Sequence, residues 1–93
     1  MEKLNAQEIR DRLAKAPEWT HQQTSIERTY QFKDFPAAMR FVNAVAAHAE
    51  RVQHHPDMLI RWNKVTLSLS THDAGGLTVK DFDSAATYDA MAK

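Results

Sequence analysis

Apolar positions along the chain follow two different periods, and the changes of period mark the predicted elements. The longest periodic segment repeats at spacings of three and four, which predicts an amphipathic helix with one buried face. Pro36 suits the first turn of this helix, and Pro56 predicts its end, because the residue before a proline disfavours the α conformation. Its apolar stripe consists of Phe35, Ala38, Met39, Val42, Val45, Ala46, Ala49 and Val52.

Alternation at period two predicts strands on both sides of the helix. Before it, Ile26, Arg28, Tyr30 and Phe32 share one face of a half-exposed strand. Residues 18–22 are expected to pair with this strand through a turn near residues 23–24. After the helix, the apolar run 58–60 and the alternation over 65–70 predict two more strands, joined by a turn at residues 63–64.

Capping signals predict a helix at each end of the chain. Asn5 and Glu8 form a capping box before a short helix that Pro17 closes. Thr78 begins a last helix, in which we expect Val79, Phe82 and Ala86 to face inward. The predicted fold class is α+β, a two-layer sandwich in the order α-β-β-α-β-β-α with helices packed on one face of a four-stranded antiparallel sheet. At 93 residues we expect a single domain over residues 1–93.

Composition narrows the classes of partner. Twelve basic residues balance twelve acidic ones, so no net charge draws the chain to a phosphate backbone, and we expect no direct nucleic-acid binding. No apolar run approaches the roughly 20 residues of a membrane span, and no cysteine is present. Residues 1–5 lack the apolar core that is typical of a signal peptide, so we expect none. We therefore expect no membrane contact and a cytoplasmic location. A chain this short has a thin core, so we also expect oligomerisation.

Three histidines at element boundaries are the candidates for chemistry. His54 and His55 close the long helix and His72 lies at the exit of the last strand. Imidazole can both donate and accept a proton near neutral pH. Glu50 lies four residues before His54, on the same predicted helix face, and could orient its imidazole. Solvated histidines beside a helix C-terminus are the plainer alternative.

Other residues allow more than one interpretation. The three histidines could in principle supply a metal site, but neighbouring residues diverge, and neither an HExxH motif nor a cysteine pair is present, so no metal is expected. Asp81 alone is better explained as the acidic half of a capping box with Thr78. Trp19 and Trp62 are core aromatics, or one of them lines a pocket for a flat ligand. His21 and His48 are interpreted as surface residues.

The spacing of these residues resembles a known signature. Glu50, His54-His55-Pro56, Trp62, His72 and Asp81 follow one another as in the pterin-4a-carbinolamine dehydratases, and residues 32–35, 62–65 and 71–78 are also similar to that family. The resemblance covers roughly residues 19–81. It implies an α+β sandwich with a four-stranded antiparallel sheet, and homodimers or homotetramers built from dimers.

The same resemblance implies a reaction and roles for the site residues. The substrate would be a pterin-4a-carbinolamine (4a-hydroxytetrahydrobiopterin), dehydrated to the quinonoid dihydropterin in tetrahydrobiopterin recycling without a cofactor. His54 and His72 would transfer protons and His55 would hold the substrate. Glu50 and Asp81 would orient imidazoles, and Trp19 and Pro56 would support the substrate site. The alternatives are a non-enzymatic dimerisation or coactivator module, whose partner face would include Met39, Asn43 and Ala47, and a related protein acting on another pterin.

Overall fold

Three α-helices and four strands follow in the order that the periodicity predicts. A computed structural model describes residues 2–93. The elements are α1 (Ala6–Ala14), β1 (Thr20–Gln22), β2 (Ser25–Gln31), α2 (Phe35–Val52), β3 (Asp57–Arg61), β4 (Lys64–Leu69), a 3₁₀ turn (His72–Ala74) and α3 (Val79–Met91). Both predicted capping boxes are present, with Asn5 and Glu8 at α1 and Thr78 and Asp81 at α3.

The four strands form one antiparallel sheet in the order β1-β2-β4-β3. In the central pair, Ile26 lies opposite Leu69 and Tyr30 opposite Val65. The inward residues of β2 and β4 are buried under the helices, whereas the opposite face carries polar side chains. The predicted fold class is therefore confirmed. Because β3 and β4 are antiparallel neighbours, the start of β3 and the end of β4 lie at the same end of the sheet.

The buried faces of α2 and α3 differ in part from the predicted stripes. In α2, Phe35 and Val52 are 46% and 43% exposed because they lie at the two ends of the helix, beyond the edges of the core. In α3, Ala86 is exposed, contrary to prediction. The helix instead turns Asp81 and Ser84 inward, so its buried face passes to one side of Ala86. The α2 face consists of Ala38, Phe41, Val42, Val45 and Ala49.

The two tryptophans have opposite environments. Trp19 is buried in the core, with its ring packed edge-on against Tyr30. Its indole N–H donates to the Asp89 carboxylate, which also accepts from the Tyr30 hydroxyl and from Arg28. Trp62 is 67% exposed at the β3–β4 turn, where its backbone φ is 51°. The interpretation of Trp62 as a core aromatic is therefore wrong, because the residue lies in a turn at the end of the sheet, where most of its side chain contacts solvent.

The edge strand β3 leaves apolar side chains in contact with solvent. Every residue of β3 is exposed, including Met58, Leu59 and Ile60. Only one edge of β3 is paired, since β4 is its sole neighbour in the sheet formed by the described residues. Among residues 2–93, none of the helices is both long enough and apolar enough to cross a membrane.

Candidate active site

The end of α2 sets the positions of the first two histidines. Gln53 adopts the left-handed conformation with φ 53°, and its N–H donates to Ala49 O. The N–H of His54 donates to the same carbonyl at 3.2 Å, which completes a common helix C-terminal turn. The helix therefore ends at Val52, so His54 and His55 lie in the connection to β3 and not within the last turn. The expected i, i+4 alignment of Glu50 with His54 is lost for this reason.

His54 is held by a buried carboxylate. Its Nε2 lies 2.6 Å from Asp81 Oδ1, and the Asp81 side chain is completely buried. The other oxygen, Oδ2, accepts from Thr71 Oγ1 at 2.8 Å and from the N–H of Thr78 at 2.9 Å. Asp81 thus caps α3 and orients an imidazole at once, which combines the two interpretations that the sequence allowed.

This network determines which nitrogen of His54 is free. A carboxylate only accepts hydrogen bonds, so His54 carries a proton on Nε2 and its neutral form has an unprotonated Nδ1. Thr71 donates its single hydroxyl proton to Asp81, and the Thr78 hydroxyl, 2.9 Å away, donates to Thr71. The donors of this network are consistent with one another, and they leave Nδ1 of His54 available as a proton acceptor.

His55 has a weaker and more exposed partner. Its Nε2 lies 2.5 Å from Glu50 Oε2, with side chains that are 54% and 73% exposed. The sequence predicts that Glu50 orients His54. The structure shows that Glu50 contacts His55 instead. Pro56, which is buried, follows directly and fixes the backbone between His55 and the start of β3.

All three histidines line one hollow at the end of the sheet. His72 reaches it from the first position of the 3₁₀ turn after β4. The hollow has a volume of about 250 Å³ and is lined by Gln53, His54, His55, Ser70, Thr71, His72, Asp73 and Lys80. A second hollow of about 200 Å³ shares His55, Ser70 and His72 with it and continues over the polar face of the sheet. A partly enclosed site with several imidazoles is suited to acid–base chemistry.

Similarity to known proteins now assigns the family. The model of the family described as "Pterin 4 alpha carbinolamine dehydratase" matches residues 2–91. The chain belongs to this family. A Roseiflexus castenholzii protein, provisionally named a pterin-4-alpha-carbinolamine dehydratase, is 58% identical over 86 residues, which cover 92% of each chain.

Two solved structures in the comparison share the dehydratase fold. The first is a transcriptional coactivator/pterin dehydratase from Brucella melitensis, with a TM-score of 0.95, 31% identity and coverage of 99% of this chain and 100% of that one. The second, a pterin dehydratase-like protein identified as a RuBisCO assembly factor in the alpha-carboxysome, has a TM-score of 0.67 and 21% identity, covering 80% and 86%. At that identity the second comparison shows the fold alone.

Not every residue that the dehydratase resemblance implied reaches the hollow. Trp19 does not line it, because its ring packs in the core and its N–H is bound by Asp89, eight residues and about 12 Å along α3 from Asp81. His48, expected at the surface, is half-buried, with its ring edge-on to Tyr88. Among residues 2–93, no three histidine, aspartate or glutamate side chains converge as metal ligands.

Thr71 is a site residue that the sequence reasoning missed. It follows Val65, Leu67 and Leu69 in the buried phase of β4, and it is itself buried. A hydroxyl in a buried phase requires a hydrogen-bond partner, and that requirement was the signal available in the sequence. Its partner is Asp81, so Thr71 belongs to the support of His54.

Proposed function

We propose that this protein is a hydro-lyase that converts a pterin-4a-carbinolamine to the quinonoid dihydropterin and water. The observation that carries the proposal is the hollow lined by His54, His55 and His72, in which a buried carboxylate orients one imidazole. Membership of the dehydratase family supports the substrate class.

The reaction needs two proton transfers and no net change in charge. The lone pair of N5 forms a C4a=N5 double bond while the bond between C4a and the hydroxyl oxygen breaks. A general acid protonates the departing hydroxyl, which leaves as water, and a general base removes the proton from N5. Two imidazoles on different sides of a flat ring can perform these tasks, one protonated and one neutral.

The environments of the histidines suggest how the tasks are divided. His54 is nearly buried and held through Nε2, so its Nδ1 is a well-oriented acid–base atom. His72 is exposed and makes no side-chain hydrogen bond within the described residues, so it can exchange protons with solvent. We assign the proton transfers to these two residues. His55, whose ring is held by Glu50, is assigned to substrate binding, with Pro56 fixing its backbone.

A kinetic assay tests the proposal directly. The 4a-carbinolamine, formed in situ by an aromatic amino acid hydroxylase, dehydrates slowly unaided, so its decay is followed by absorbance with and without the protein. We expect clear acceleration by the wild-type protein and by His21→Ala, a histidine control outside the hollow, and loss of most of it in His54→Ala. Decay at the unaided rate with the wild-type protein would contradict the proposal.

We also propose that the protein forms a homodimer or homotetramer. Support comes from β3, whose outer edge is unpaired and whose Met58, Leu59 and Ile60 are exposed. An exposed apolar strand edge recruits another strand, and antiparallel pairing of two copies about a two-fold axis closes the interface. Leu59→Lys should therefore reduce the mass measured by sedimentation, whereas Thr29→Lys on the open sheet face should not.

Three further expectations remain proposals. A non-enzymatic binding module is the alternative function, since the Brucella melitensis protein is described as a transcriptional coactivator as well as a dehydratase. A second alternative is activity on another pterin. The kinetic assay separates both from the proposed function, because neither predicts acceleration with a tetrahydrobiopterin carbinolamine. A role in tetrahydrobiopterin recycling and a cytoplasmic location are the third expectation.

A further inference from the structure

The free edge of β3 offers the backbone groups of only some of its residues to a partner strand. Residues 62–63 form a two-residue turn, so Arg61 and Lys64, which flank it, direct their backbone groups at each other. Because this direction alternates along a strand, Met58 and Ile60 direct their N–H and C=O groups to the open edge. A strand added at this edge therefore bonds to Met58 and Ile60.

Two copies of β3 that pair about a two-fold axis meet this condition when the axis passes through Met58, Leu59 or Ile60. The register centred on Leu59 pairs every residue of the strand, and Met58 of each copy then bonds with Ile60 of the other. The same register places Asp57 opposite the partner subunit's Arg61. Both of these side chains lie on the open face of the sheet, because their neighbours in β4 belong to its half-exposed polar phase.

Charge favours the register centred on Leu59. Neither Asp57 nor Arg61 makes an ion pair within residues 2–93. Within one chain they are separated by about 13 Å of extended strand. In the dimer two pairs of opposite charge form at once, one on each side of the axis, and such cross-strand pairs stabilise a sheet. The other two registers place each of these charges opposite Leu59 or opposite a residue outside the strand.

Asp57 also lines the second hollow, so its partner in the dimer lies close to the candidate active site. The second hollow contains His55 and His72 and adjoins the hollow that all three histidines line, which we call the histidine hollow. Among the described residues, no arginine of the same chain lines either of the two. A guanidinium has more donors than one carboxylate accepts, so an arginine bound to Asp57 still has donors for a ligand.

We propose that the active site is shared between subunits. The partner subunit's Arg61 pairs with Asp57 and adds a guanidinium to the edge of the second hollow, where it donates to an oxygen atom of the bound substrate. This inference rests on the oligomer and the reaction proposed above. It makes Arg61 a substrate-binding residue of the neighbouring site and gives oligomerisation a role beyond the burial of an apolar edge. A single chain holds the three histidines without this arginine.

Exchange of the two charges tests the register. Asp57→Arg and Arg61→Asp each replace two attractive pairs by two repulsive ones, so each alone should raise the dissociation constant of the oligomer about 10-fold or more, as measured by sedimentation. The pairs are attractive again in the double variant, and also in a one-to-one mixture of the two single variants after subunit exchange. Both should regain the parent constant. Arg10→Asp, an exposed position on α1 with the same change in net charge, should leave the constant unchanged.

A mixture of two defective variants tests the sharing of the site. Arg61→Ala should raise KM about 3- to 10-fold with kcat unchanged, the range of one or two net hydrogen bonds. His54→Ala lacks the imidazole that Asp81 orients but keeps Arg61. In mixed oligomers of these two variants, the intact histidines of the first face the arginine of the second, so a component with the parent KM should appear. A KM that stays at the Arg61→Ala value would overturn the shared site.

The outcomes separate this inference from the proposed function. Recovery in the double variant without recovery in the mixture would show that Asp57 and Arg61 pair within one chain, and a wild-type protein that stays monomeric would remove the partner altogether. Either result overturns the shared site, whereas acceleration of carbinolamine dehydration by the same protein would leave the proposed function standing. If the charges exchange as expected but dehydration is not accelerated, the proposed function fails and the shared site fails with it.

Discussion

His54 Nε2 lies 2.6 Å from Asp81 Oδ1, and this contact joins the loop after α2 to the first turn of α3. The two residues are 27 positions apart in the chain. Asp81 is fully buried and also accepts from Thr71 and from the Thr78 backbone. The carboxylate that orients the imidazole also caps α3. The His54 ring therefore cannot rotate without losing its hydrogen bond to Asp81.

Asp81→Asn should reverse the tautomer of His54. The Thr71 hydroxyl and the Thr78 N–H can donate only to the amide oxygen of the new side chain. Its NH₂ group therefore faces His54 Nε2. The imidazole then accepts at Nε2 and carries its proton on Nδ1, so Nδ1 can no longer accept a proton from the substrate. We expect kcat to fall at least about 100-fold, within the usual contribution of acid–base catalysis. Nitrogen-15 NMR of the His54 ring should show the change of tautomer.

The control for this variant is Asp83→Asn. Asp83 is exposed on the same helix and does not line the histidine hollow. It should leave both kcat and the His54 nitrogen shifts unchanged. If Asp81→Asn kept the Nε2–H form and the parent kcat, Asp81 would be only a helix cap.

Glu50→Gln should have a much smaller effect. The Glu50–His55 pair is more than half exposed on both sides, and exposed pairs contribute about 0–1 kcal/mol. A loss of about 1 kcal/mol corresponds to about 5-fold in affinity, so we expect KM to rise by no more than that, with kcat unchanged. Steady-state kinetics measure both constants. A large fall in kcat would instead place His55 among the proton carriers.

Asp89 should be important for stability and not for activity. Its carboxylate binds Trp19, Arg28 and Tyr30, and its side chain is about one quarter exposed. Asp89→Ala leaves three donors unpaired, so we expect a loss of about 2–3 kcal/mol in the free energy of unfolding. Urea denaturation measures it, with Asp83→Ala as an exposed control expected within about 0.5 kcal/mol. The folded variant should retain the parent kcat, and a loss of activity without a loss of stability would contradict this assignment.

Two buried tyrosines should give the protein an alkaline limit of stability. Burial raises the pKa of Tyr88, and burial together with the Asp89 carboxylate raises the pKa of Tyr30. A phenol whose pKa is higher in the folded state stabilises the fold fully below its unfolded pKa of about 10, and this stabilisation is lost as pH rises above that value.

Tyr88→Phe separates the contribution of one phenol. The Tyr88 hydroxyl is buried and has no hydrogen-bond partner within residues 2–93, so its removal should not lower stability at pH 7 by more than about 0.5 kcal/mol. Above pH 10 the unfolding free energy should decline less steeply than in the parent, as measured by urea denaturation across pH. An unchanged alkaline slope would show that Tyr88 does not titrate with unfolding.

The order of elements and most of the site could be predicted because they depend on local patterns. Period-two alternation gave β2 and β4, and a short turn between β3 and β4 is enough to bring the residues before β3 beside those after β4. His54, His55 and His72 therefore meet for a topological reason. The spacing of Glu50, Pro56 and Asp81 around the histidines resembles that of the dehydratase family. The family match over residues 2–91 and the similarity to the Brucella melitensis structure confirm this resemblance.

The partners of the site residues could not be predicted from spacing. A continuous helix would pair Glu50 with His54, but the left-handed Gln53 ends the helix, and Glu50 contacts His55 instead. Asp89 and Arg28 are 61 residues apart, and no local pattern connects two positions at that separation. The family resemblance implies that Trp19 supports the substrate site, whereas its ring packs in the core.

The proposed chemistry is tested most directly by kcat for 4a-carbinolamine dehydration by the double variant His54→Ala/His72→Ala. Neither imidazole belongs to the buried apolar core, and Asp81 keeps its hydrogen bonds from Thr71 and from the Thr78 backbone, so the variant should keep the circular dichroism spectrum of the parent. If these residues carry the two proton transfers, the rate should fall by a factor of about 100 or more and approach the unaided dehydration. A folded double variant with the parent rate would contradict the proposed chemistry.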